Sequence, residues 1–148
     1  MAENNVILSI KGLQAYIDAE PETIELVTEG RLEKQGKNGF TISYEETELT
    51  GLEGTLTTFQ VEKNRITLMR QGLINSQMVF EQGRRHLSMY DTPQGSLAVG
   101  IDTKRMCSKM SGKGGNIEID YAIEIDHAVA GQNFFQIDIR KKAEKVSS

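Results

Sequence analysis

The sequence has one cysteine, no tryptophan, two prolines and two histidines in 148 residues, and each shortage removes a class of function. A single thiol, Cys107, cannot close an internal disulfide or supply a Cys-rich zinc site, and a lone thiol fits a reducing compartment. His86 and His127 stand at metal-ligand spacing from no second His or Cys. No metal or cofactor is expected, and no catalytic residue is assigned. The absence of tryptophan, with basic residues not interleaved with aromatics, leaves no stacking platform for nucleic-acid bases. A net charge of −4 and a pI near 5.3 point away from polyanions as well, and the four bases in 104–113 read as a solvated face. No G-x-S-x-G occurs. Gly36-Lys37 and Gly112-Lys113 lack the upstream glycine and the following Ser/Thr of a phosphate loop. No apolar run approaches the roughly 20 residues that cross a bilayer. MAENNVILSI has neither a basic nor an apolar signal region, so the expected address is cytoplasmic.

What is present is alternation. Hydrophobic residues at 38% and charged residues at 26% describe a folded chain able to bury one core. Apolar residues recur with period two from end to end. Val6, Leu8 and Ile10 begin it, Phe40, Ile42 and Tyr44 repeat it, and Ile66, Leu68 and Arg70 follow. Ile74, Ser76, Met78 and Phe80 continue, then Leu87 and Met89, and later Leu97, Val99 and Ile101. Gly- and Asn-rich turns separate the runs, both prolines fall between them, and no helical stripe is sustained. The spacing predicts an all-β fold: one antiparallel barrel of eight to ten strands, mostly hairpin-connected, as a single domain over 1–148. Its ordered core runs from about 6 to 140, with a frayed tail. The inward phase slips between Ile101 and Met106, which predicts a β-bulge or sharp bend, with a short helix as the alternative.

Residues 116–126, NIEIDYAIEID, set Glu118, Asp120, Glu124 and Asp126 on one face and Ile117, Ile119, Tyr121, Ile123 and Ile125 on the other. Carboxylates two apart on a strand stand about 6.5–7 Å from each other, whereas Ca²⁺ gathers six to eight oxygens at roughly 2.3–2.6 Å. The row therefore reads as solvated, relieved by bases on a neighbouring strand. Pairing with the last strand would bring Arg140 and Lys142 beside it.

The candidate site lies where polar residues share the apolar phase: Tyr44, Arg70, Ser76 and Tyr121. Pointing inward, they are candidate ligand contacts. A buried arginine needs an anion or hydrogen bonds, unless it reaches solvent from the barrel end. Glu46 continues the Tyr44 face and is the single acid that could join an enzyme-like arrangement.

Four strings carry a family resemblance over most of the chain: ILSIKGLQ (7–14), ELTGLEGTLTTF (48–59), INSQMVFEQGRRHLSMYDTPQGSLAVGI (74–101) and GGNIEIDYAIEID (114–126). The sequence resembles the YwiB-like family of small bacterial proteins of unknown function. The resemblance implies a calycin-like barrel, the shape of lipocalins and fatty-acid-binding proteins, but supplies no binding residues. The arginine–tyrosine pair near the C-terminus of fatty-acid-binding proteins has no match in QIDIRKK. The resulting expectation is non-enzymatic binding of a small apolar or amphipathic ligand. The rivals are a filled barrel serving as a protein-interaction module and a calycin-like enzyme. A homodimer through an exposed edge or face is compatible with either.

Overall fold

The computed structural model of the chain describes residues 5–16, 20–36, 39–46, 53–72, 75–93, 95–125 and 128–142. Ten strands account for most of them: β1 (Val6–Tyr16), β2 (Glu22–Gln35), β3 (Gly39–Glu45), β4 (Leu56–Val61), β5 (Ile66–Gln71), β6 (Asn75–Phe80), β7 (Arg85–Thr92), β8 (Gly95–Ser111), β9 (Gly114–Ile125) and β10 (Ala128–Lys141). Each pairs antiparallel with the next, and β10 returns to β1, closing the barrel. The seam between β6 and β7 is the thinnest, paired at Asn75–Asp91 and Ser76–Tyr90 among the described residues. No helix occurs among the described residues.

The alternation places the core as the sequence implies along most strands. Val6, Leu8, Ile42, Phe59, Ile66, Phe80, Ile101, Ile117, Ile119 and Ile137 are all nearly inaccessible to solvent. The strand β4 lies four steps from β10 round the ring in one direction and six in the other. Even so, Phe59 and Phe135 stack with ring centroids 5.6 Å apart. Phe80 on β6 meets Tyr121 on β9 edge-on at 4.9 Å. Contacts across the lumen at these distances mean that its middle is packed with side chains.

The phase slip is a bulge. Register shifts between Thr103 and Arg105 where β8 runs along β9, and buried Val99, Ile101 and Thr103 give way to half-buried Met106, Ser108 and Met110. The β6–β7 turn docks on it: Gly83 N–H donates to Thr103 O at 2.9 Å, and Met106 N–H to the Gln82 side chain at 3.0 Å. A second shift, between Val129 and Gly131 on β10, has no counterpart in the alternation.

Two expectations need correction. The bases nearest the acidic row come from β7 and β8 instead of β10. Arg85 grips Glu124 with two hydrogen bonds, at 2.8 and 3.1 Å, and Arg105 pairs in register with Asp120. Arg140 instead faces Gly114, and Lys142 pairs with Glu29. The reason is register: the hairpin aligns Asp138 with Asn116, which carries Arg140 past the row. The second correction concerns Leu87 and Met89, which point outward and are 62% and 58% exposed, while half-buried His86 and Ser88 take the inner phase. Ile74, Asp126, His127 and the tail from 143 onward lie outside the described residues.

Candidate functional site

Antiparallel register assembles the site. Tyr44 on β3 stands opposite Thr57 on β4, Thr57 opposite Arg70 on β5, and Arg70 opposite Ser76 on β6. Directly opposed side chains on one face approach to about 4.5–5.5 Å between Cβ atoms, so four inward polar residues form one continuous row. Gly30 lets β2 close behind it: a Cβ there would lie 2.7 Å from Ser43 O and 3.3 Å from the Tyr44 Cβ. One step beyond β3, Glu46 N–H donates to Thr55 O at 2.8 Å, which carries the same face to Glu46 and Thr55.

The Glu46 carboxylate is the centre of the group, its side chain only 2% exposed. Thr57 Oγ1 donates to Glu46 Oε2 at 2.6 Å, and Arg70 Nε lies 3.9 Å from the same oxygen. A carboxylate removed from water requires such partners, since an isolated buried charge is strongly disfavoured. Burial, together with the neighbouring negative charge of Glu46, pushes the Tyr44 hydroxyl far above its ordinary range, and nearby Arg70 offsets only part of this. Tyr44 therefore stays a neutral phenol hydrogen-bonded to Glu46. Arg70, with its side chain 21% exposed, is the member that reaches toward solvent. The buried hydroxyls of Ser76 and Thr55 have no hydrogen-bond partner among the described residues. At this end of the barrel, among exposed polar residues such as Glu45, Gln71 and Asn75, Leu97 and Ile125 are apolar and accessible, 46% and 38% exposed.

Three of the four predicted residues, Tyr44, Arg70 and Ser76, thus share one row, with Glu46 beside them. Tyr121 does not join them. Its hydroxyl accepts a hydrogen bond from Asn133 Nδ2 at 3.3 Å, and its ring packs on Phe80, at the opposite end of β6 from Ser76. Thr103 pairs with Tyr121 in register, and the buried Thr103 Oγ1 and Asn133 Oδ1 are without partners among the described residues. Thr55, Thr57, Thr103 and Asn133 were not singled out from the sequence. Thr57 was findable, because it shares phase with Phe59 and Val61. His86 turns to Glu81 at 3.1 Å, and Cys107 is exposed opposite Glu118.

Two surface depressions lie elsewhere. The larger, about 670 Å³ and open to solvent, is lined by Gln35, Phe40, Gln60, Val61 and Lys63 among others, at the opposite end of β3 and β4. The smaller, about 270 Å³, is lined by residues of β1, β2 and β10. Neither holds the chemistry of the Glu46 group.

The fold and the site together define a closed antiparallel β-barrel with a packed middle and a buried acid–arginine group at one end. Comparison with known proteins places it more closely. The chain belongs to the family described as Domain of unknown function (DUF1934), whose model matches residues 8–137. It is similar to the solved structure of the ywiB protein from Bacillus subtilis, with a TM-score of 0.81 and 23% identity. That match covers 95% of this chain and 93% of that one, and at this identity the likeness concerns the fold. No curated protein matches the sequence.

Proposed function

We propose that the protein is a non-enzymatic, cytoplasmic binder of a small amphipathic molecule, held at the Arg70 end of the barrel instead of deep in the lumen. The observation that carries this reading is the pair of buried hydroxyls, Ser76 and Thr55, without partners among the described residues beside the Glu46–Arg70 pair. Buried polar atoms are nearly always satisfied, so such orphans call for an explanation. A ligand head group supplies one, and the accessible Leu97 and Ile125 offer apolar contact to its tail. The stacked Phe59 and Phe135 make the middle of the lumen too full for a long chain to thread.

Native mass spectrometry of gently purified protein tests the reading. An added mass that disappears on denaturation supports it, and the Arg70→Ala variant should then bind the recovered molecule at least tenfold more weakly. Unchanged affinity in that variant would remove Arg70 from the site.

A second reading is favoured by the outward Leu87 and Met89, which face Gly100 and Ala98 across β7 and β8. Apolar side chains grouped on an outer barrel face suit contact with a second copy of the chain. The same spectrum reports oligomeric state, and a dimer abolished by Leu87→Lys would support this face as its interface.

A further inference from the structure

We infer that this end of the barrel selects an uncharged head group, one that both donates and accepts hydrogen bonds, over a carboxylate of equal chain length. The inference rests on the binding function proposed above and gives its ligand a chemical class. Three features of the site lead to it.

The first is charge. Arg70 looks like an anion receptor when the sequence is read alone, but its charge is already balanced by Glu46. The Glu46 side chain is 2% exposed, so water screens its charge poorly. A ligand carboxylate drawn toward Arg70 would approach the Glu46 carboxylate as well, and attraction and repulsion would largely cancel. The anion would still lose hydration on entry. A neutral head group pays far less for desolvation and meets no repulsion.

The second is hydrogen-bond inventory. Thr57 donates to Glu46, and the Tyr44 hydroxyl is bonded within the same group. Among the described residues of this group, the hydroxyls with neither donor nor acceptor engaged are those of Ser76, 9% exposed, and Thr55, 1% exposed. Each offers one donor and acceptor lone pairs. An alcohol or a primary amide matches that combination, whereas a carboxylate can only accept. The third feature is the rim, where Leu97 pairs in register with Tyr90, which itself pairs with Ser76, so the apolar surface begins two strands from the hydroxyl.

The test is isothermal titration calorimetry of the full chain with two decanoyl probes below their aggregation concentrations, 1-monodecanoylglycerol and sodium decanoate. The expected result is at least tenfold tighter binding of the glyceride. Two variants then probe the cause. Glu46→Gln frees the Arg70 charge and should raise decanoate affinity at least tenfold. Ser76→Ala, a small change with little risk to folding, should weaken the glyceride at least fivefold and leave decanoate unchanged. Decanoate binding as tightly as the glyceride to the unaltered protein would overturn the head-group inference while leaving the binding function standing. Loss of glyceride selectivity in neither variant would also overturn it. Absence of binding by both probes up to their aggregation limits would overturn the binding function and the inference with it.

Discussion

Replacing Phe59 by alanine separates a packed lumen from an open one. Phe59 is 1% exposed, stands between Ile42 and Leu68 in register, and stacks on Phe135 from the far side of the barrel. A buried Phe→Ala change typically costs about 3–5 kcal/mol, the spread reflecting how far the site collapses. Collapse is restricted in this barrel because both neighbours sit on strands fixed by ladder hydrogen bonds, so a loss of about 4 kcal/mol is expected. With a urea dependence of about 2 kcal/mol per molar for a domain of this size, the midpoint should fall by about 2 M. Phe135→Leu should cost less, and the double variant should show a coupling of about 0.5–1.5 kcal/mol for the lost ring pair. The void should also admit benzene, raising the midpoint of Phe59→Ala while leaving the parent protein unmoved. A cost below about 1 kcal/mol would refute the reasoning, because a ring lining an open lumen is removed cheaply. The ligand would then belong inside the barrel and not at its end.

Tyr44 makes a pH prediction. Its folded-state ionisation is raised above the ordinary 10.0, so its contribution is complete below pH 10 and is lost as pH climbs beyond it, by up to about 1.4 kcal/mol per pH unit. Urea midpoints from pH 9 to 12 should fall more steeply for the parent than for Tyr44→Phe, and parallel curves would contradict the buried phenol. Gly114 has φ +132° and a Cβ there would lie 2.2 Å from Ile139 O, so Gly114→Ala should cost about 2 kcal/mol or more by strain and overlap. Gly112→Ala, with open space around it, serves as the control and should leave the thermal midpoint nearly unchanged. Thr55→Val removes a buried hydroxyl without a partner among the described residues, so it should hold or raise stability, by up to about 1 kcal/mol, while weakening the glyceride in calorimetry. A variant both less stable and equally good at binding would assign that hydroxyl a purely structural role.

The alternation was enough to read the barrel, because one buried face forces period two on every strand it uses. The bulge was legible for the same reason: Ile101 and Met106 cannot both point inward along a regular strand. Register was not legible, since phase says which face a residue takes but not what stands opposite it. Hence Tyr44, Arg70 and Ser76 could be nominated singly, whereas their alignment through Thr57 appears only in the pairing. Tyr121 shows the cost of arguing from phase alone: it has the right face on the wrong strand. Leu87 and Met89 mark the opposite failure, apolar residues in alternating phase that belong to the outer surface. Nothing in their own segment distinguishes them from core, because His86 and Ser88 are poor inward neighbours by composition.

The Glu46–Arg70 pair is hard to account for as a stabilising device. A buried ion pair is often no better than apolar residues of the same volume, because desolvation consumes most of the attraction. The neighbouring rows show that this barrel packs well without charge: Ile42, Phe59 and Leu68 fill the next layer with carbon alone. An acid, an arginine, a phenol and three hydroxyls concentrated at one end therefore mark a place where the chain departs from the solution it uses elsewhere. Departures of that kind, where local rules of burial give way, fall where functional or strained sites are expected, and the buried Thr103 and Asn133 beside Tyr121 are a second, smaller instance. The packed middle separates that end of the barrel from the other, and Arg70, with its side chain 21% exposed, carries the group toward solvent there.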